Sequence, residues 1–213
     1  MNLITDFQYF PSVILFKKLD KISNIVFEKY EFYQKMSFRN RCQIAGAEGI
    51  IQLSIPLEQG RDQKTIMKDV RIAGRQDWQA RHWKTLLSCY SRSPWFEFYR
   101  EELAELYRKP FLFLMDWDLA CFEWSARMLG QPLAISRTDF FVKKYDEKEW
   151  MDCRDSLRPN TVRKLFGDPK SQPGVVRYHQ VYEERTGFLP GLSILDLLFC
   201  EGKNARFILG ENP

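Results

Sequence analysis

The stretch "LITDFQYFPSVILFKKLDKISNIVFE", residues 3–28, decides how the rest of the chain is read. Its ends, LITDF (3–7) and NIVFE (24–28), are short, apolar and partly β-branched, as buried strands are. Between them Pro11 opens a helix running through SVILFKKLDK (12–21). Proline is tolerated at a first helical position, because its missing N–H would lack an intrahelical acceptor there anyway. Strand, helix and strand in that order predict a parallel core.

Outward from this core the pattern changes. RCQIA and IIQLSI flank GAEG within residues 38–57, which predicts two strands joined by a tight glycine-containing turn. Pro56 ends the second of them, since proline cannot donate to a ladder. A polar loop (58–64) follows, then MKDVRI (67–72) as a further strand. Helices are expected over about 77–91, 95–108 and 118–129, the last stopped by Gly130 and Pro132. LAISR (133–137) returns to the sheet, and residues 139–175 give no clear pattern beyond charge and scattered prolines. Near the end Pro190-Gly191 makes a turn, Ser193 caps a helix with Asp196 at the capping-box position, and Gly202 stops it. ARFIL (205–209) reads as a last strand. The expected architecture is α/β, a mixed β-sheet flanked by helices, in a single compact domain over residues 1–213.

Composition bounds the function. With 45% apolar and 15% aromatic residues, the chain has ample material for a packed core. A net charge of +4 permits an anionic small-molecule substrate but is too mild for nucleic-acid binding by phosphate neutralisation. The five cysteines lie far apart without a C-x-x-C pair, which predicts reduced thiols in a cytoplasmic protein and no zinc site. The first residues lack a signal-peptide pattern, and no apolar run is long enough to insert into a membrane. Oligomeric state is left open.

Histidine is scarce, with two in the chain. On a helix over 77–91, Trp78, His82, Trp83, Leu86, Leu87, Cys89 and Tyr90 share one broad arc, with Arg81, Lys84, Thr85 and Ser88 opposite. His82 therefore points inward, where its ring either packs with a hydrogen-bond partner or lines a wet pocket. Cys89 is no partner for it, because seven residues separate them by about 10 Å along the axis. His179 lies in a possible strand of alternating character, where a structural role is the simpler reading.

Two further groups carry chemistry. Lys35, Arg39 and Arg41 cluster near Phe38 and Asn40; on a strand, Arg39 and Arg41 would share one face and suit phosphate or carboxylate, or merely keep an edge soluble. Asp116 and Asp118 form a D-x-D that could hold a divalent metal and a nucleoside diphosphate in a glycosyltransferase, or could cap the following helix. No glycine-rich phosphate loop, nucleophile elbow or H-E-x-x-H is present, and no cofactor or resident metal is expected.

Four segments carry a family resemblance: YFPSVILFKKL (9–19), YQKMSFRNRCQI (33–44), WQARHWKTLLSCYSRSPWF (78–96) and GFLPGLSILDLLF (187–199). Together they resemble the WbqC-like protein family. The family pattern falls on Tyr9, Pro11 and Lys18; on Lys35, Asn40 and Arg41; on Trp78, His82 and Tyr90; and on Pro190, Leu192, Ser193 and Asp196. Asp6-Phe7 stands where many relatives have Gln-Pro, and Asp118 where some have Asn. The chain is also short between the third helix and the last motif.

The resemblance implies a role in bacterial surface-polysaccharide or O-antigen synthesis, as a transferase moving an acyl or aminoacyl group onto an amino sugar or sugar nucleotide. On that view Lys35, Asn40 and Arg41 hold an anionic group, Tyr9 and Tyr90 contact substrate, and His82 is the general base. The alternatives are the metal-dependent glycosyltransferase using Asp116 and Asp118, and a non-catalytic protein that binds an anion or a partner.

Overall fold

The computed structural model describes residues 1–19, 22–60, 62–74, 77–131, 133–166 and 175–210. The opening stretch folds as expected. Strand β1 (Asn2–Thr5), helix α1 (Val13–Lys18) and strand β2 (Asn24–Phe27) form a parallel unit, with Leu3 opposite Ile25 and Thr5 opposite Phe27. Both strands are nearly continuous apolar runs because both faces of a parallel sheet are covered. The helix begins two residues after Pro11, capped by Ser12, and residues 20–21 of the expected span lie outside the described set.

The hairpin pairs β3 (Arg41–Gly46) with β4 (Gly49–Ser54), antiparallel, around a two-residue turn that Gly49 permits with a φ of 118°. It forms its own two-stranded sheet beside the parallel one. Helices α2 (Trp78–Tyr90), α3 (Phe96–Arg108) and α4 (Leu114–Met128) follow. They meet in an aromatic core centred on Trp117, whose ring stands edge-on to Trp78, Tyr107 and Phe111. Strand β5 (Ala134–Arg137) pairs parallel with β2, and β6 (Trp150–Asp152) pairs parallel with β1. The expected stop at Gly130 is met, while Pro132 lies outside the described residues. Short helices α5 (Pro159–Phe166), α6 (Glu183–Thr186), α7 (Ile194–Glu201) and α8 (Ala205–Gly210) complete the chain.

The parallel sheet has the order β5-β2-β1-β6. The chain moves outward from β1 to β2 and β5, then crosses back to the other side of β1 for β6. Direction therefore reverses between β1 and β6, and in an open parallel sheet the crevice beyond the carboxyl ends of such strands is where ligands bind.

Chain ends far apart in sequence are joined at two helix starts. Ser12 caps α1 and donates its hydroxyl to the Gly191 carbonyl at 2.9 Å; Ser193 caps α7 and donates to the Phe10 carbonyl at 2.9 Å. Val13 N–H to the Leu192 carbonyl and Ile194 N–H to the Pro11 carbonyl complete the reciprocal bridge.

Four local expectations are corrected. MKDVRI is a turn of 3₁₀ helix (Met67–Asp69), because Met67 and Val70 are buried three apart rather than in alternation. ARFIL is helix α8, with Ala205 and Leu209 buried one turn apart and Phe207 exposed between them. Helix α4 starts at Leu114 rather than residue 118, with Phe113 at its N-cap, so neither aspartate of the D-x-D caps it. Residues 177–180 form no strand, and His179 is exposed.

Candidate functional site at the carboxyl edge of the sheet

The parallel strands deliver polar residues to one edge. Thr5 ends β1 with Asp6 just beyond it, Glu28 follows β2, Thr138 follows β5, and Arg154-Asp155 follows β6. Glu28 is structurally engaged: it accepts from the Thr138 hydroxyl and from the Tyr30 N–H, both at 2.8 Å, with Arg154 at 3.5 Å.

Arg39 spans the crevice between β1 and β6. Its side chain is fully buried. The Nη2 atom lies 2.5 Å from Glu31 Oε1 and 3.1 Å from Asp155 Oδ1, and Nη1 lies 3.5 Å from Asp6 Oδ2. Asp155 also meets Arg158 at 3.0 Å, nearer solvent. Burial alone would lower the Arg39 pKa, but Asp6, Glu31 and Asp155 outweigh it and keep the guanidinium charged. Burial raises the Asp6 carboxyl against the pull of Arg39, and lifts Glu31 to about 7.

Arg39 Nη1 and Asp6 Oδ2 face each other as an ion pair without a hydrogen bond, and Gln8 Oε1 and both oxygens of Asp118 are buried with no hydrogen-bond partner among the described residues. Burial pushes the Asp118 carboxyl well above the ordinary carboxyl range, with Arg39 opposing and Asp6 adding to the shift.

The sequence-predicted anion group is partly dispersed. Arg39 precedes β3 and is consumed internally, so the shared strand face with Arg41 does not form. Lys35 is exposed and paired with Asp62 at 2.5 Å. Asn40 is buried, donating to the Ile55 carbonyl at 3.0 Å and accepting from the Tyr33 hydroxyl at 2.9 Å. Arg41 is half-buried at the start of β3, opposite Ser54. Tyr33 ties these groups together: its phenol, raised by burial, feels Arg41, Arg39, Asp118 and Asp62.

His82 is 7% exposed, against the edge of Trp78 at 5.2 Å. Its Nδ1 lies 2.9 Å from the Tyr9 hydroxyl, which lies 2.6 Å from the Tyr107 hydroxyl. With Nδ1 accepting from Tyr9, the other ring nitrogen carries the proton that bonds the Ser54 backbone. Burial lowers the His82 pKa to about 4, against the Ser54 bond, so the ring is neutral at pH 7. Because Ser54 faces Arg41 across the hairpin, His82 supports the strand end that carries Arg41.

Tyr90 lies in a separate closed network. Its hydroxyl donates to Asp196 Oδ1 at 2.6 Å and accepts from Ala45 N–H at 2.9 Å, while Tyr178 donates to Asp196 Oδ2 at 2.7 Å. Ser193 does cap α7, but the Asp196 carboxylate serves these tyrosines and does not close a capping box. The aspartates of the D-x-D sit two apart on α4, hence roughly 200° apart around the helix, and do not converge on one ion. Among the described residues no group of three or more His, Cys, Asp or Glu could hold a metal, and no helix is long and apolar enough to cross a membrane.

The profile of the WbqC-like protein family matches residues 7–208 of the 213. The chain belongs to this family. No curated protein and no solved structure matches it.

In this WbqC-like chain the motif residues divide by role. Tyr9 with His82 and Tyr90 with Asp196 form two separate buried hydrogen-bonded pairs, whereas Lys35 is exposed and Arg41 half-buried. Two measurements follow from the buried set. Tyr90→Phe leaves a buried carboxylate oxygen and the Ala45 N–H without their partner, so it should lower unfolding free energy by about 2 kcal/mol in urea titrations; an unchanged midpoint would contradict the network.

His82 sets a pH signature. Its folded pKa lies below the ordinary 6.5. The associated stability is present above that value and is lost as pH falls toward the folded pKa. His82→Gln removes this titration. The advantage of wild type over the variant should therefore shrink by about 3 kcal/mol between pH 7 and pH 4. A pH-independent difference would show that the ring is not sealed.

Proposed function

We propose that the chain is a cytoplasmic transferase that moves an acyl or aminoacyl group onto an amino sugar or sugar nucleotide during assembly of bacterial surface polysaccharide. The substrate would sit in the crevice between the ends of β1 and β6. The observation that carries this reading is Arg39, a fully buried guanidinium held among Asp6, Glu31 and Asp155 at the point where strand order reverses. Such a concentration of ionisable groups in a crevice is expensive to bury and characteristic of a working site. Membership of the WbqC-like family supports the polysaccharide role.

In this reading Lys35 and Arg41, on the accessible side, meet the phosphates of a sugar nucleotide. Asn40 and Tyr33 hold the segment between them. A neutral His82 with both nitrogens engaged supports a positioning role through Ser54 and Arg41 more than the general-base role expected from sequence. The diverging aspartates do not favour the metal-dependent glycosyltransferase.

The test is direct. The protein is incubated with nucleotide-linked sugars bearing a free amine, together with acyl thioesters or aminoacyl esters, and products are weighed by mass spectrometry. Thermal shift against the same sugars reports binding. Stabilisation with a mass gain equal to the acyl group is expected. Binding without any mass gain would reduce the protein to an anion-binding module, and no stabilisation by any nucleotide sugar would remove the reading.

A further inference from the structure

The proposed transfer needs a base, and His82 is a poor one. Both of its ring nitrogens are engaged, and burial lowers its pKa to about 4. In the crevice itself three carboxyls surround Arg39, those of Asp6, Glu31 and Asp155. They differ in access. Asp6 has no exposed side-chain surface. Asp155 is 38% exposed, and its Oδ1 lies between Arg39 at 3.1 Å and Arg158 at 3.0 Å, an ion pair that faces open water. Glu31 stands between these extremes, with 10% of its side chain exposed.

The two oxygens of Glu31 are used differently. Oε1 accepts twice from Arg39, from Nε at 3.2 Å and from Nη2 at 2.5 Å. Oε2 accepts from nothing among the described residues, yet it is not one of the buried polar atoms sealed without a partner. One oxygen is anchored and the other is open. A base needs both, an anchor that fixes its direction and a free lone pair within reach of the proton it takes.

The backbone is fixed as well. Glu31 begins an extended segment that pairs with residues 65–67: Met67 N–H donates to the Glu31 carbonyl and Tyr33 N–H to the Thr65 carbonyl, both at 2.8 Å, with Phe32 bridged to Ile66 between them. Two side-chain links tie this segment to the one that leads into Arg41, Arg39 to Glu31 and the Tyr33 hydroxyl to Asn40. The proton affinity of Glu31 suits the task. Burial raises its carboxyl to about 7, with Arg39 opposing and Asp6 and Asp155 adding to the rise. Near neutral pH such a carboxyl is partly ionised and still basic enough to take a proton.

We infer that Glu31 is the general base of the transfer, its Oε2 taking the proton that the acceptor amine loses. The inference rests on the transferase reading and deepens it. The amine nitrogen forms a bond to the acyl carbonyl carbon, and the bond from that carbon to the donor's sulfur or oxygen breaks. Glu31 passes the proton to the leaving atom, which restores the carboxylate. Arg39 is a positioning residue, holding Oε1 and leaving Oε2 free.

Two measurements test this. Folded wild type is treated with a water-soluble carbodiimide and glycinamide at about pH 6.5, where ordinary carboxyls are almost fully ionised and Glu31 is not. Peptide mapping by mass should find Glu31 labelled and Asp6 untouched. An unlabelled Glu31 would overturn the assignment, whatever the substrate. Turnover is then compared for wild type, Glu31→Gln, Glu31→Asp and Glu105→Gln, with UDP-glucosamine and other nucleotide-linked amino sugars and the acyl donors named above. Glu31→Gln keeps an oxygen for Arg39 but no base, so kcat should fall by about a hundredfold or more with KM within about threefold. Wild-type kcat should fall as pH drops through about 7, and Glu31→Gln should lose that limb. Glu31→Asp should recover part of the rate, and Glu105→Gln, exposed on α3, should match wild type.

A Glu31→Gln protein that keeps the pH limb, or turns over within about threefold of wild type, would overturn the assignment and leave the transferase reading standing. If Glu31→Gln does not fold, the labelled wild type decides: turnover lost in step with labelling of Glu31 supports the base, and full turnover after labelling overturns it. A wild type that forms no product from any pair would instead remove the transferase reading itself.

Discussion

Arg39→Met should lower unfolding free energy by about 3–5 kcal/mol at pH 7. Methionine fills similar space but leaves Asp6 and Glu31 buried without the cation that faces them. The loss should also depend on pH. Glu31 already has a folded pKa of about 7, above its ordinary 4.5, with Arg39 holding it down. Removing Arg39 raises it further. A carboxyl raised in the folded state contributes stability fully present below its unfolded pKa and lost as pH rises through the folded value. The deficit of Arg39→Met should therefore narrow between pH 7 and pH 5 in urea titrations. A deficit under 1 kcal/mol, or one that ignores pH, would show that Arg39 is not the counter-charge of this cluster.

Gly202→Ala should be comparably damaging. Gly202 ends α7 with a φ of 57°, and an added Cβ would lie 2.2 Å from the Trp95 indole. The residue cannot yield easily: the Trp95 backbone N–H donates to the Phe199 carbonyl at 3.0 Å, and its indole stands edge-on to Phe98. Backbone strain and overpacking each contribute about 1–3 kcal/mol, giving a combined loss of about 4 kcal/mol. Gly60→Ala separates the two effects. It shares a positive φ of 69° but has nothing within 4 Å of the added Cβ, so about 1 kcal/mol is expected there. Equal losses at both glycines in thermal or urea unfolding would remove the packing explanation.

Much of the architecture was legible because its signals are local. The β1-α1-β2 unit shows in two apolar runs around Pro11, and the hairpin in GAEG. The Ser193 cap shows in the serine before an apolar helix. Strand β6 was not legible, since Trp150–Asp152 is too short to display a period and is defined by its register against β1, 148 residues away at Asn2. Helix α8 is not legible in sequence because five mostly apolar residues fit either period, until the exposure of Phe207 between buried Ala205 and Leu209 excludes a strand.

The Arg39 cluster was missed for a similar reason. Its members come from the end of β1, the segment before β3, helix α4 and the end of β6, and no window of sequence contains them. Two signals were present: Asp6 is an acid inside an otherwise apolar strand run, and Asp118 falls in phase with Leu114, Trp117 and Cys121 once the helix starts at Leu114. The family motifs point to Lys35, Asn40, Arg41 and His82, of which Asn40 and Arg41 adjoin Arg39 in sequence and His82 bonds the Ser54 backbone opposite Arg41. The motif that contains Tyr90 serves a different network, with Asp196 and Tyr178.

The reciprocal bridge between Ser12 and Ser193 has a consequence for biosynthesis. The two residues are 181 positions apart, so the start of α1 lacks this partner until residue 193 has been made. At roughly 5–20 residues per second the interval is about 10–40 s, during which the apolar face of α1 has only early neighbours to cover it. A ribosome-bound chain halted before residue 193 should therefore keep α1 open to proteases and chaperones, and closure should come only once residue 193 has emerged.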